Sequence, residues 1–258
     1  MIYFVSDIHL GAGGDAVARR TERAFCRWLD TIAEDATALY LLGDIFDFWF
    51  EYRRVVPQGF VRVLGRLADM ADRGVRVVFY VGNHDMWCYD YLERECGIEV
   101  VFAPRVESVQ GKMLHLAHGD NMNIQGQWLL RLMNTVFRSK VLRVVFSWLI
   151  HPDLFLRFGD WWSGKSRKSH KHKDGRMSVD RLDSLVEYAR EHKRVCGDVE
   201  AYIFGHMHLP HRHTDADLDV LFMSSWSGRK ATYVTMDADS KLELKTFDID
   251  ETISGVAE

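Results

Sequence analysis

A chain of 258 residues with 47% hydrophobic content is long enough for one sizeable α/β domain carrying an insertion and does not demand two domains. Its four cysteines (Cys26, Cys88, Cys96, Cys196) lack CxxC spacing and the chain opens on a strand-like segment, so a reducing, cytoplasmic setting is expected; the longest apolar run, 141–150, holds only ten residues including Arg143 and excludes a bilayer-spanning helix. The net charge of −4 is uneven: residues 121–176 carry eleven Lys or Arg against three Asp and no Glu, a balance of +8, which leaves −12 on the rest.

In chain order, residues 1–6 read as a short buried strand ending at Asp7. Phe25, Trp28, Leu29 and Ile32 then share one helical face. A second apolar run, 38–42, ends at Gly43-Asp44, and Phe60, Val63, Leu64 and Leu67 form another helical face. A third run, 75–81, ends at Gly82-Asn83. This β-α-β-α-β alternation implies a layered α/β domain. A strand at 113–116 delivers His118, after which the pattern changes: 128–137, 141–150 and 154–162 read as helical, and 165–173 is a basic stretch. Ser178 stands where it would cap a helix whose apolar face is Leu182, Leu185, Val186 and Ala189. Strands resume at 201–204, 220–223, 232–236 and 242–247, and the acidic end after Asp248 reads as a loosely held tail. The organisation expected is a core of 1–120 and 177–248, a helical cap insertion of 121–176 and a tail of 249–258.

Side chains that bind metals arrive in five blocks just past strand ends: Asp7-Ile8-His9, Gly43-Asp44, Gly82-Asn83-His84-Asp85, His118-Gly119-Asp120 and Gly205-His206-Met207-His208. Strand ends are where open α/β sheets gather several loops on a rigid frame. Oxygen and imidazole donors without thiolate suit Mn²⁺, Fe²⁺, Zn²⁺ or Mg²⁺, and the set is too large for one ion. Two cations sharing a carboxylate are the usual means of activating water for displacement at phosphorus. The glycines beside these residues fit either close backbone approach or ordinary turns. His115 reads as packed, His151 as a helix terminus before Pro152, and His211 and His213 as loop residues after Pro210.

The ordered blocks resemble the calcineurin-like metallophosphoesterase superfamily, whose pattern is DxH, GD, GNH[DE], a later His, and GHxH. The resemblance implies a β-sandwich flanked by helices. It implies one metal held by Asp7, His9, Asp44 and His208 and a second by Asp44, Asn83, His118 and His206, with Asp44 as the bridge and Mn²⁺ as the expected ion. It also places His84 beside the phosphate, to protonate the leaving oxygen or stabilise its charge. Asp85 then either orients His84 by accepting a hydrogen bond or caps a helix starting near Met86.

The run 42–49 and the position of the insertion resemble the UDP-2,3-diacylglucosamine pyrophosphatase branch of that superfamily, which serves lipid A biosynthesis. That branch releases UMP and leaves 2,3-diacylglucosamine 1-phosphate, with a helical cap sheltering the acyl chains. Its members commonly have Arg where this chain has His84, so hydrolysis of another nucleotide, phosphodiester or lipid phosphate is the alternative. The apolar side chains between 128 and 162 exceed what a small helical insertion buries against itself. They line an acyl pocket, touch a membrane, or pack on the main domain; interleaved Arg131, Arg138, Lys140, Arg143 and Arg157 suit anionic headgroups. Within the basic stretch, Arg167, Lys171 and Lys173 are candidates for the diphosphate or uridine, against a plain solvated loop. The expected partners are a nucleotide-linked lipid and, through the cap, the inner face of a membrane. Interleaved aliphatic side chains argue against a nucleic-acid groove, and the complete donor set argues against a non-enzymatic scaffold.

Overall fold

The computed structural model describes residues 1–122, 139–154, 157–159 and 175–250. Three nearly unbroken apolar runs form β1 (Ile2–Val5), β2 (Ala38–Leu42) and β3 (Arg76–Tyr80), which lie parallel and side by side. A strand reads as continuously apolar when both its faces are covered. Here Phe4, Tyr40 and Val78 face a second sheet, while Val5, Leu39, Leu41, Val77 and Phe79 face helices. Those helices are α1 (Asp15–Ile32) and α2 (Val61–Asp72). The former buries Phe25, Trp28, Leu29 and Ile32, each worth roughly 1.5–3 kcal/mol against exposure.

After α3 (Tyr91–Cys96), β4 (Glu99–Val101) adds to β3, and the late strands β10 (Lys230–Met236) and β11 (Leu242–Asp248) complete a six-stranded sheet in the order β11-β10-β1-β2-β3-β4. The second sheet runs β5 (Arg105–Val109), β6 (Lys112–Ala117), β7 (Ala201–Phe204), β9 (Asp219–Phe222) and β8 (His211–Thr214). Leu114, Leu116, Ile203 and Leu221 from it meet Phe4, Tyr40 and Val234 between the sheets. Its outer face is covered by α5 (Gly175–Cys196) through Leu185, Val186 and Ala189 on Tyr202, Phe204, Val220 and Phe222. The layered sandwich with flanking helices is therefore the fold expected.

Several details differ from expectation. His211 and His213 lie on β8, paired with β9 in the register Arg212↔Leu221, because Arg212 and Asp219 form a cross-strand ion pair at 2.8 Å that holds a polar edge strand. Ser178 lies inside α5, which already begins at Gly175. No helix starts at Met86, since α3 begins at Tyr91. Ile249 and Asp250 are not a loose tail: Ile249 is fully buried and donates its N–H to the Arg229 carbonyl at 2.9 Å, and Asp250 pairs with Arg20 and Arg229. Residues 251–258, the 128–137 segment and the basic stretch 165–173 lie outside the described residues.

Between β6 and α5 the described residues include α4 (Lys140–Leu149) and helical residues at 152–154 and 157–159. Ser139 caps α4, its hydroxyl accepting the Leu142 N–H at 3.4 Å. One side of this segment rests on the core, Phe146 and Ile150 packing with Phe50 and Trp87. Other apolar side chains face outward, with Val141 71%, Trp148 69% and Leu149 78% exposed. Among the described residues no helix is long and apolar enough to cross a membrane.

Candidate metal centre

Five strands end at one place. β1 delivers Asp7 and His9, β2 delivers Asp44, β3 delivers Asn83 and His84, β6 delivers His118, and β7 delivers His206 and His208. The carboxyl ends of the parallel strands of both sheets thus converge on a single mouth.

The loops are laced together by their own backbone. Asp7 N–H donates to the Gly43 carbonyl at 3.1 Å, His9 N–H to the Asp44 carbonyl at 3.0 Å, and Gly205 N–H to the His118 carbonyl at 3.0 Å. To aim their side chains inward, Asp7, His9, Asp44, His206 and His208 all take left-handed backbone, with φ between 51° and 64°. Non-glycine residues seldom hold that conformation, and its concentration at one mouth marks strain kept by the surrounding packing. Two glycines allow the crowding. A Cβ on Gly82 would overlap the Asp44 carboxylate, and one on Gly43, itself at φ +84°, would stand 2.6 Å from His118 Nδ1.

The donor atoms form overlapping groups. Asp7, His9, Asp44 and His208 bring one ligand atom each within 4.8 Å of one another, and so do Asp44, His118 and His206. Asp44 belongs to both groups: its Oδ2 lies 3.8 Å from His9 Nε2 and 3.3 Å from His118 Nε2. Asn83 Oδ1 joins the second group, 3.3 Å from His118 Nε2. In the first, His208 Nε2 is 3.1 Å from both Asp7 Oδ1 and His9 Nε2. Two imidazole nitrogens facing each other beside a carboxylate is the disposition a shared cation satisfies. His118 Nδ1 donates to the Leu42 carbonyl at 2.9 Å, which fixes its tautomer with Nε2 toward Asp44. The donors therefore fit divalent cations.

Electrostatics follow from burial of like and unlike charges together. Burial alone would raise the pKa values of Asp7 and Asp44, but His208 beside Asp7, and His118 and His84 beside Asp44, hold both carboxyls below the usual range. Burial works against a charge on His118, yet Asp44 overrides it and pushes this imidazole up to about 10. His206 is driven the other way, to about 4, by burial and by the charge on His118. Cation-stabilising charge at the mouth is thus already built in by the two carboxylates.

His84 sits at the edge of the cluster, its Nε2 4.0 Å from Asp44 Oδ2, and its backbone N–H donates to Asp44 Oδ1 at 2.9 Å. Asp85 does not orient it. The buried Asp85 carboxylate instead accepts backbone N–H groups from Gly82 and Ile45, both at 2.7 Å, and from Asp44 and Phe46, both at 3.3 Å. The orienting contact comes from Asp47, whose carbonyl accepts from His84 Nδ1 at 2.8 Å and whose Oδ1 stands 3.5 Å from His9 Nδ1. Asp47 was not among the expected site residues. Its signal was a carboxylate inside the buried apolar run Ile45-Phe46-Asp47-Phe48-Trp49, since an Asp is seldom buried without a partner. Arg167, Lys171 and Lys173 lie outside the described residues.

A family model described as calcineurin-like phosphoesterase matches residues 1–210. The UDP-2,3-diacylglucosamine hydrolase of Porphyromonas gingivalis is 37% identical over 219 residues, covering 81% of this chain and 83% of that protein. The protein of the same name from Pseudomonas aeruginosa is 30% identical over 218 residues, covering 82% and 83%. The one from Neisseria meningitidis serogroup B is 26% identical over 237 residues, covering 92% and 94%.

Proposed function

The chain belongs to the calcineurin-like phosphoesterase family, and from that premise we propose that it is a metal-dependent hydrolase of lipid A biosynthesis which cleaves the diphosphate of UDP-2,3-diacylglucosamine to UMP and 2,3-diacylglucosamine 1-phosphate. The observation that carries the chemistry is Asp44, one buried carboxylate shared by two groups of donors. Asp7, His9, Asp44 and His208 would hold one divalent ion, and Asp44, Asn83, His118 and His206 would hold a second. Mn²⁺ is the ion we assign, since hard oxygen and borderline imidazole donors suit it.

When bound, the pair of ions lowers the pKa of a water and neutralises charge on the phosphoryl oxygens. The protein's own residues do the rest. Leu42 and Asp47 carbonyls fix the His118 and His84 tautomers, so that each presents Nε2 toward the mouth. In its doubly protonated form His84 then meets the phosphoryl group, its Nε2–H steadying the developing charge and passing a proton to the departing oxygen. The water adds to the phosphorus that becomes UMP, the bond to the sugar phosphate oxygen breaks, and that oxygen leaves as the sugar 1-phosphate.

For the lipid half we assign the cap. Its outward apolar side chains, Val141, Trp148 and Leu149, together with Leu154 and Phe158, offer acyl chains and the membrane's inner face a surface next to the seat of α4. Arg53 stacks over Trp148 at 5.6 Å, placing a cation beside that surface for anionic headgroups. Arg167, Lys171 and Lys173 remain our assignment for the diphosphate. Product analysis by mass spectrometry tests the function: UMP released from UDP-2,3-diacylglucosamine with Mn²⁺ and not with EDTA supports it, and turnover of only a water-soluble phosphodiester leaves the alternative substrate class.

A further inference from the structure

We propose that Glu51 is a positioning residue for the lipid half of the substrate: its buried carboxylate fastens the apolar seat of α4 to the loop after β3, and so sets how α4 stands relative to the metal centre. This rests on the nucleotide-lipid reading above. Glu51 lies in the aromatic run Phe48-Trp49-Phe50-Glu51-Tyr52 and is only 1% exposed. A carboxylate is seldom buried among aromatic rings without donors to meet it.

Its donors come from two places. Glu51 Oε1 accepts the Trp49 indole N–H at 2.9 Å, while Oε2 accepts the backbone N–H groups of Tyr89 and, at 3.3 Å, of Tyr91 at the start of α3. The Glu51 N–H in turn donates to the Trp87 carbonyl at 3.0 Å. Between these bonds Phe50 and Trp87 form a parallel bridge, their rings edge to face with centroids 4.9 Å apart. Those two side chains are the buried pair on which Phe146 and Ile150 rest. Residues 157–159 meet the same strip, since a Cβ on the buried Gly159 would overlap the Phe48 ring. Burial pushes the Glu51 carboxyl above its ordinary range, and the three N–H donors pull it part of the way back.

The strip 44–52 has a second fastening nearer the mouth. Asp85 takes the N–H groups of Asp44, Ile45 and Phe46, the Asp47 N–H donates to the Leu10 carbonyl at 2.9 Å, and the Trp49 N–H donates to the His84 carbonyl at 3.2 Å. None of these bonds uses Glu51. Asp44 and His84 therefore keep their supports when the Glu51 carboxylate is altered, and the seat of α4 does not. An interaction that holds the non-reacting part of a substrate equally before and during the reaction moves KM and not kcat. Glutamine is the discriminating replacement, because it has the shape of glutamate but a single accepting oxygen. Its NH2 would face either the indole N–H or the two backbone N–H groups.

The test compares the natural chain with Glu51→Gln, each loaded with Mn²⁺ and checked for fold by circular dichroism. Hydrogen–deuterium exchange of the 139–150 peptide should be about tenfold faster in the variant, the change expected when one buried hydrogen-bonded support is lost. KM for UDP-2,3-diacylglucosamine should rise about tenfold, with kcat and the Mn²⁺ affinity measured by calorimetry close to those of the natural chain. A general loosening of the fold would instead lower kcat and metal affinity together. Glu51→Asp, which keeps the carboxylate and draws it back by one methylene, supplies the same readouts should Glu51→Gln fail to fold. Unchanged exchange at 139–150 overturns the proposal, as does a fall in kcat or metal affinity with KM unmoved. Turnover of UDP-2,3-diacylglucosamine with exchange and KM both unchanged would sink the role of Glu51 alone. Faster exchange in the variant, with no turnover of that substrate by the natural chain, would sink the hydrolase reading and leave the fastening of α4 in place.

Discussion

Ile45 donates its backbone N–H to the Asp85 carboxylate at 2.7 Å, tying the loop after β2 to the loop after β3. The same carboxylate takes the N–H groups of Asp44, Phe46 and Gly82. One buried side chain thereby fixes the relative position of Asp44 and Asn83, which come from different strands.

Removing that acceptor strands four buried donors. Asp85→Ala is expected to lower stability by roughly 3 kcal/mol or more, since each orphaned buried group costs about 1–3 kcal/mol before relaxation. Metal affinity should fall about 10–100-fold, as it does when supporting groups behind ligands are lost. Thermal unfolding and metal titration read the two effects, and the shape of the pH-rate profile should not move, because Asp85 handles no substrate proton.

His84 is expected to act on the phosphoryl group and not on the ions. His84→Ala should reduce kcat by about 10²–10⁴ while metal content, measured by elemental analysis, stays at that of the natural protein. His84→Arg should recover part of the loss at neutral pH, since guanidinium supplies charge stabilisation without a ready proton. An Ala variant that loses metal would assign His84 to the ligand set.

Asp47 makes a separate prediction. Asp47→Ala removes the carboxylate that stands 3.5 Å from His9 Nδ1 but keeps the carbonyl that accepts from His84 Nδ1. Metal affinity should drop about 10–100-fold through His9, with a smaller change in kcat at saturating metal. Titration of the metal and kinetics at saturation separate the two.

His115 sets an acid limit to stability away from the mouth. It is buried, stacks on Tyr202 with centroids 5.1 Å apart, and burial followed by the nearby His192 lowers its pKa to about 4. The unfolded chain takes up a proton near pH 6.5 and the folded one only near 4, so between those values unfolding binds the extra proton. Stability should therefore fall as pH drops from about 6.5 to about 4, and be unaffected by this group above 6.5. His115→Phe should flatten that part of a denaturation-versus-pH curve; an unchanged slope would place the acid sensitivity elsewhere.

Much of the fold was legible because chemistry and burial coincide in β1, β2 and β3. Their runs are apolar on both faces, and each stops at a ligand-type residue. β5 and β8 were missed since Arg105-Val106-Glu107 and His211-Arg212-His213 are polar edge segments held by ion pairs, such as Arg105 with Glu99 and Arg212 with Asp219. The donor residues were legible from their order in the chain, whereas the role of Asp85 was not. Whether a carboxylate turns toward an imidazole or toward four backbone N–H groups depends on loop geometry that spacing does not encode. Asp47 was hidden likewise, its neighbours reading as core.

The most direct measurement is hydrolysis of UDP-2,3-diacylglucosamine in ¹⁸O-labelled water with Mn²⁺, followed by mass analysis of both products. One ¹⁸O is expected in UMP, none in 2,3-diacylglucosamine 1-phosphate, and no turnover in EDTA. Label in the sugar phosphate, or cleavage that persists without divalent metal, would contradict that expectation.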